Sequence, residues 1–178
     1  MSDSPFKRPN FFHGKLLTPE DFKLEQRYGR EKSKLHNRGL HGFGIVSGLN
    51  VTVEAGKIVV ESGLALDCEG NELVIDARQS IVAPAGCESG ATYLRVRFVE
   101  TGADFVSGGE GEGDGEQPAT IVESFELSFA TENSNRSHRH LRARWLACGQ
   151  PHALTLAKLR RGAHGWRVDR AYRPPKIK

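Results

Sequence analysis

The spacing of apolar residues changes near residue 44 of this 178-residue chain. Before that point, the segment from residue 19 has few apolar side chains among many charged ones, which indicates a polar helix. After it, short runs alternate apolar and polar residues between glycine-containing turns, as antiparallel strands do. The predicted strands are residues 45–53, 57–61, 64–66, 72–75, 80–83, 92–99, 123–130, 141–147, 154–159 and 166–169. The predicted fold is mainly β, an antiparallel β-sandwich or barrel preceded by an extended N-terminal arm and one long α-helix.

The predicted helix has signals at both ends. Thr18 can cap its N-terminus, Pro19 suits the first helical position, and acids follow in the first turn, where they complement the helix dipole. Gly39 stands where a left-handed residue would end the helix. A helix this polar is expected to lie across a sheet or against a neighbouring subunit. The chain therefore divides into an extended arm (1–18), a helix (19–39) and a β-rich domain (40–178) with a mobile, acidic, glycine-rich loop at 107–117.

Large apolar side chains are present in the arm and the helix although the surrounding sequence is polar. Phe11 and Phe12 stand in a segment too polar to hold itself in place, so we expect each ring to fill a pocket on the sheet or on the next subunit. A homo-oligomer is expected, because a monomer would offer these side chains and the polar helix too little apolar surface. The predicted assembly interface consists of Phe11, Phe12, Leu16, Leu17, Phe22 and Tyr28.

Ten positions near the N-terminus follow the order aromatic-x-Gly-x-Leu-Leu-Thr-x-x-Asp-Phe-x-x-Glu-Gln-x-Tyr, and they are Phe12, Gly14, Leu16, Leu17, Thr18, Asp21, Phe22, Glu25, Gln26 and Tyr28. In this order the segment resembles the N-terminal module of phage tail and contractile injection system baseplate or fibre-adaptor proteins, and residues 36–49 continue the likeness. A looser likeness extends to the N-terminal shell of TssK, a type VI secretion baseplate protein. The resemblance covers about the first third of the chain.

The resemblance implies a structural component, not an enzyme, in a phage tail or a phage-tail-like contractile injection machine. Such a component would act as a baseplate or fibre adaptor, with a trimer as the favoured oligomer and other tail or baseplate proteins as partners. It would be cytoplasmic and assembled into the particle or machine. Two alternatives stay open. One is a carbohydrate- or envelope-binding fibre-tip module with Trp145, Trp166 and Tyr172 as contacts, and the other is a hydrolase on a β scaffold, which needs a polar cleft with an acid–base pair.

Charge is distributed unevenly although the formal net charge is only +3. Residues 136–178 contain twelve Lys or Arg and the single acid Asp169, whereas residues 100–132 contain acids and no Lys or Arg. This asymmetry can steer the binding of a partner, including nucleic acid, but we favour the interpretation that the two stretches face each other, within a subunit or between subunits. Nucleic acid is not expected, because no platform of interleaved aromatics accompanies the arginines. Partner docking is assigned to Arg160, Arg161, Arg167 and Arg170.

The sequence predicts no catalytic residue and no cofactor. Cys68, Cys87 and Cys148 have no CxxC spacing and indicate reduced thiols, not a disulfide framework. On a strand, His138 and His140 would point to the same side, but they lack a third protein ligand and no metal is assigned to them. The N-terminus has no signal-peptide core, and no run approaches the ~20 apolar residues that span a bilayer.

Overall fold

The computed structural model describes residues 6–84, 91–107, 115–136, 148, 153–163 and 165–177.

The helix begins at the predicted cap. Helix α1 spans Pro19–His36. The Thr18 hydroxyl accepts a hydrogen bond from the Asp21 backbone N–H, and the Asp21 carboxylate accepts one from the Thr18 backbone N–H. These two bonds form a capping box, which satisfies two backbone donors that a helix start otherwise leaves free.

The helix ends differently from the prediction. A π-helical turn, Asn37–His41, follows α1, and the chain leaves it at Gly42 with a φ of 84°. Gly39 has no positive φ, so the predicted left-handed cap at that residue is wrong and Gly42 takes its place. The Asn37 amide group donates to the Gly70 carbonyl at 3.0 Å, a bond that holds the added turn against the β-domain.

Ten strands follow in the part of the chain that the structure describes, and every ladder between them is antiparallel. They form three sheets with strand orders β1-β4-β5, β2-β3-β6 and β10-β9-β7-β8. The predicted fold class, mainly antiparallel β-sheet with one helix, is confirmed. The strands are β1 (Gly44–Gly48), β2 (Val51–Glu54), β3 (Lys57–Val60), β4 (Gly63–Leu66), β5 (Glu72–Ile75), β6 (Gln79–Val82), β7 (Thr92–Ser107), β8 (Glu116–Ala130), β9 (Leu154–Gly162) and β10 (Gly165–Val168).

A single cluster of buried residues contains side chains from all three sheets. In β7, Leu94 and Val96 are fully buried, whereas Tyr93 and Arg95 on the opposite face are partly exposed. This alternation is the one expected of a strand with one face on the core. The largest fully buried side chains include Leu49, Ile58, Leu73, Ile75, Leu94, Leu154 and Leu159.

Strands β7 and β8 are longer than predicted. They form a continuous ladder from the Tyr93–Ala130 pair to the Ser107–Glu116 pair. Positions 107, 116 and 117 of the predicted loop are therefore strand residues, because the ladder extends to the edges of the glycine-rich segment. Residues 108–114 of that loop and the predicted strand 141–147 lie outside the described residues.

Candidate assembly surfaces

The N-terminal arm contains a defined turn that leaves its aromatic rings exposed. The Lys15 backbone N–H donates to the Phe12 carbonyl at 3.1 Å, which closes a turn over residues 13 and 14. Phe11 is 53% exposed and Phe12 is 65% exposed. Both rings are therefore more than half exposed within their own chain. A pocket on a neighbouring subunit stays a prediction.

Lys15 joins the arm to the helix. Its ammonium nitrogen lies 2.6 Å from Asp21 Oδ1 and 5.5 Å from the centre of the Phe11 ring. The hydrogen bond from Lys15, followed by the one from the Thr18 backbone, lowers the pKa of the Asp21 carboxyl. Because Asp21 also closes the capping box, a single carboxylate determines both the helix start and the position of the aromatic turn.

The other predicted interface residues also face solvent or are only half-buried. Leu16, Leu17 and Phe22 are exposed, and Tyr28 is half-buried with the Lys32 ammonium 5.8 Å from its ring centre. No residue of α1 is buried. The predicted interface is thus an apolar surface on the arm and the first three turns of the helix, which we call the arm surface.

The end of the helix, in contrast, is attached to the turn between β4 and β5. The Arg38 guanidinium donates to the Glu69 carbonyl at 3.1 Å. A Cβ added at Gly70, whose φ is +91°, would lie 2.2 Å from the Lys34 carbonyl oxygen, so only glycine permits this approach of the two backbones. Helix α1 is therefore attached to the β-domain at its C-terminal end, and its N-terminal end projects from that attachment.

A cleft of about 310 Å³ lies between α1 and the β7–β8 hairpin. Arg30, Glu72, Glu100, Glu123 and Phe98 are among its lining residues. Arg30 Nη1 lies 3.9 Å from Glu100 Oε1. The charged groups of this cleft thus connect the helix to the hairpin.

The predicted docking arginines lie together on and beside the β9–β10 hairpin. Arg160 and Arg167 stand directly opposite each other, as do Arg161 and Trp166. Two shallow grooves of about 480 and 370 Å³ run between these side chains. We call this surface the basic face, and it consists of Lys158, Arg160, Arg161, Arg167 and Arg170.

One carboxylate, that of Asp169, lies among the cations of the basic face. It lies 2.8 Å from Arg160 Nε and 3.6 Å from Lys158 Nζ. A hydrogen bond from the Ala171 backbone N–H, followed by the one from Arg160, lowers the pKa of Asp169. Among the described residues, no ion pair joins the basic face to the acidic stretch 100–132. The two stretches therefore do not neutralise each other there within one chain.

Four exposed apolar side chains lie at the far end of the β7–β8 hairpin, beyond the strands that the sequence predicted. They are Phe105, Val106, Ile121 and Val122. The sequence contains a signal for them, because β-forming residues flank the glycine-rich segment on both sides. That signal is weak, since only the long ladder shows that both flanks are strands.

Two aromatic residues assigned to glycan binding make contacts inside the domain. Trp166 packs against the core, and the Tyr172 hydroxyl accepts a hydrogen bond from the Asn135 amide at 2.9 Å. Burial raises the pKa of Tyr172. These two rings are therefore not the open stacking platform that the fibre-tip alternative requires. Trp145 and the histidines at 138 and 140 lie outside the described residues.

Cys68 does not have the properties of an activated nucleophile. Neither Cys68 nor Cys148 forms a disulfide, and burial, followed by a hydrogen bond with Cys148, raises the pKa of the Cys68 thiol. Across the described ranges, no three His, Cys, Asp or Glu side chains are grouped so that they could hold a metal ion. None of the described helices has the length and apolarity needed to cross a membrane.

Comparison with known proteins finds similarity in fold. Neither a protein-family model nor a curated protein sequence matches this chain. A chain of the type VI secretion system TssK–TssF–TssG baseplate subcomplex, determined by cryo-electron microscopy, matches 96% of this chain over 62% of its own length, with a TM-score of 0.56 and 13% identity. The crystal structure of TssK matches 96% of this chain over 42% of its own length, with a TM-score of 0.54 and 13% identity. A chain of the type VI secretion baseplate complex matches 97% of this chain over 60% of its own length, with a TM-score of 0.53 and 13% identity.

The match in fold extends over nearly the whole chain, whereas the likeness in residue pattern is limited to the N-terminal third. This chain spans less than two thirds of each of these three structures. An identity of 13% supports a statement about fold, not about activity. The looser likeness to TssK that the residue pattern indicated agrees with this result. This chain therefore shares its fold with chains of type VI secretion baseplate structures, among them TssK.

Proposed function

We propose that this chain is a structural component, not an enzyme, of a phage tail or phage-tail-like contractile injection machine. It acts as a baseplate or fibre adaptor through assembly into a homo-oligomer, with a trimer favoured. The observation that carries the proposal is the arm surface, where hydrogen bonds and an ion pair hold a pair of phenylalanine rings out in solvent. The fold shared with baseplate structures and the N-terminal residue pattern support the class of machine.

The arm surface acts through pre-organisation. A flexible arm would lose conformational freedom on binding, whereas an arm already held by its turn and by Lys15 loses less, which favours association. The rings of Phe11 and Phe12 can then enter pockets of a neighbouring subunit without rearrangement. Truncating an aromatic residue that is buried at such an interface typically costs about 3–5 kcal/mol.

The basic face is the second part of the proposal. Two of its five cations, Lys158 and Arg160, pair with Asp169, so the face carries excess positive charge and fits an acidic surface of another protein. Charged groups at the rim of an interface mainly increase the association rate and select the partner. We therefore assign docking to Arg160, Arg161, Arg167 and Arg170, separately from the apolar contacts of the arm.

Self-assembly can be tested by light scattering and sedimentation velocity. Wild-type protein is expected to have a mass that is a multiple of the 19.6 kDa chain, with three copies favoured. Phe12→Ala should shift the population toward monomer. Val82→Ala is the matched control, because it also shortens an exposed apolar side chain, but on β6 and away from the arm. A wild-type mass of one chain across micromolar concentrations would contradict the oligomer.

The role in a machine can be tested in the organism that encodes the chain. Deleting the gene should abolish contractile particles in negative-stain electron micrographs, and wild-type protein should restore them. Phe12→Ala should restore few particles, whereas Val82→Ala should restore them fully. Normal particles in the deletion strain would show that the chain is not a required component.

A further inference from the structure

The far end of the β7–β8 hairpin is a two-stranded ribbon with exposed apolar side chains. We define the ribbon as residues 100–107 and 116–123, which keep one register from the Glu100–Glu123 pair to the Ser107–Glu116 pair. Strand β9 pairs with β7 only as far as Val96, so the ribbon has no third strand among the described residues. Two strands alone are at best marginally stable in water. The ribbon therefore has the properties of an element that docks on another surface.

The ribbon is also negatively charged. Its carboxylates include Glu100, Asp104, Glu116 and Glu123, and its sequence contains no Lys or Arg. Glu100 and Glu123 stand directly opposite each other, an arrangement that is unfavourable for like charges. The ion pair of Glu100 with Arg30 spans 3.9 Å and offsets part of this charge. A surface that receives the ribbon should be positive and should offer apolar contacts.

The basic face has this complementary chemistry. Arg161, Arg167 and Arg170 are exposed and form no ion pair within the described ranges. The half-buried rings of Tyr93 and Tyr172 lie 6.0 Å apart, centre to centre, and supply apolar surface beside it. Tyr93 stands opposite Lys158 on the β7–β9 ladder, which places the aromatic and the cationic groups side by side.

One chain does not bring these two surfaces together. The ribbon continues β7 beyond the last residue that pairs with β9, and the eleven steps from Val96 to Ser107 would cover on the order of 35 Å in a fully extended strand. Within the ribbon, Gly102 leaves no room for a side chain, because a Cβ there would lie 2.7 Å from Pro118 Cβ. The side chains of the ribbon end remain exposed, and no described ion pair links the ribbon to the basic face.

We propose that the ribbon of one copy docks across the basic face of the next copy. This proposal rests on the proposed self-assembly and names the acidic partner of the basic face as a second copy of this chain. The contact joins two different surfaces, so it is heterologous, and such contacts close into rings when the rotation between copies permits. Each copy would then be held by a salt-insensitive arm contact and by a salt-sensitive ribbon contact.

Charge reversal on each surface tests the pairing. One variant carries Arg167→Glu and Arg170→Glu, which leaves the Asp169 ion pairs with Lys158 and Arg160 in place. The second carries Glu116→Lys and Glu123→Lys. The third carries all four substitutions. Lys57→Glu is the control, since it reverses an exposed charge on β3 that belongs to neither surface.

Each two-residue variant should weaken self-association at least about tenfold in sedimentation equilibrium, because like charges then face each other across the contact. The four-residue variant should return to within about threefold of wild type, since its reversed charges again attract. Wild-type association should weaken as salt rises. Circular dichroism melts should show that every variant is folded.

The results separate this inference from the proposed function. A wild-type protein that stays monomeric overturns both. A wild-type oligomer that no reversal weakens leaves the self-assembly standing and overturns the ribbon contact. The ribbon contact is also overturned if both two-residue variants dissociate but the four-residue variant does not recover, because the two surfaces then do not pair with each other.

Discussion

The two ends of the β7–β8 hairpin share one ladder and one register but differ in burial. At one end, where β9 pairs with β7, Leu94 belongs to the core cluster and is 0% exposed. At the other end, Ile121 is 53% exposed. Both are large apolar residues on strands, and neither local pattern nor β-propensity distinguishes them. The comparison shows that burial depends on what covers a strand, and in the proposed assembly a second copy covers the exposed continuation of this hairpin.

The arm extends the same comparison to the N-terminus. The end of α1 is attached to the turn between β4 and β5, whereas its beginning and the arm project with Phe11 and Phe12 exposed. In the β7–β8 hairpin and in the arm with α1, one end of the element packs on the domain, whereas the other end keeps a defined conformation with its apolar side chains exposed. Contiguous exposed apolar surface of this kind marks interaction sites in soluble proteins.

The largest difference between the two hairpin ends should appear in stability. Leu94→Ala should lower the free energy of unfolding by about 2–5 kcal/mol, because it opens a cavity in the core. Ile121→Ala, the matched truncation at the far end, should change it by less than about 0.5 kcal/mol, because that side chain is already in water. Urea denaturation, carried out at a protein concentration too low for self-association, measures the free energy of unfolding of both variants. A comparable loss in Ile121→Ala would show that the ribbon is packed in the monomer.

A smaller, local effect is expected at Gly102, where an added side chain would meet the ring of Pro118. A Cβ at Gly102 would lie 2.7 Å from Pro118 Cβ, so Gly102→Ala should cost about 1–3 kcal/mol of local stability through overpacking. Hydrogen exchange should therefore be faster in the ribbon and unchanged in the core. Gly115→Ala is the control, because nothing lies within 4 Å of its added Cβ. Unchanged exchange in Gly102→Ala would show that the ribbon adjusts without strain.

The smallest effect concerns the start of the helix and depends on pH. The pKa of Asp21 is lowered by Lys15 and the Thr18 backbone, so the charged carboxylate stabilises the folded chain above the ordinary Asp value of 3.8. This stabilisation is lost as pH falls through the lowered pKa. Asp21→Asn should therefore lower Tm at neutral pH, and the difference from wild type should shrink in acid.

Glu20→Gln is the control for this titration, because it removes a first-turn charge but leaves the capping box intact. A Tm difference between Asp21→Asn and wild type that stays constant down to strong acid would show that Asp21 acts through hydrogen-bond geometry and not through its charge.

Local signals predicted the fold class and the start of the helix. Thr18, Pro19 and the acids of the first turn act within a few residues of one another, so the sequence alone is sufficient to place the cap. The end of the helix was not predictable in the same way. It depends on the Asn37 bond to the Gly70 carbonyl, 33 residues away, which supports a turn beyond Gly39.

Only part of the candidate site was predictable, again because local signals are readable from the sequence and contacts between distant residues are not. From composition and charge, the sequence predicted the arm aromatics and the arginines at 160, 161, 167 and 170 as candidate interaction residues, and the structure shows which of them are exposed. It did not identify the apolar residues of the ribbon, because the glycine-rich segment that separates residues 107 and 116 hides their pairing. Pairing between strands is a non-local contact, and its length is not readable from either strand alone.

What the sequence by itself determined is therefore the set of interactions that residues make with near neighbours: the capping box, the alternation of the strands and the separation of charge along the chain. Only the tertiary structure decided which apolar residues are covered, where the helix is attached and how far the acidic ribbon extends beyond the last pairing with β9. The physical reason is that burial and electrostatic pairing depend on distances between residues far apart in sequence. Such distances exist only once the three sheets have packed around one core.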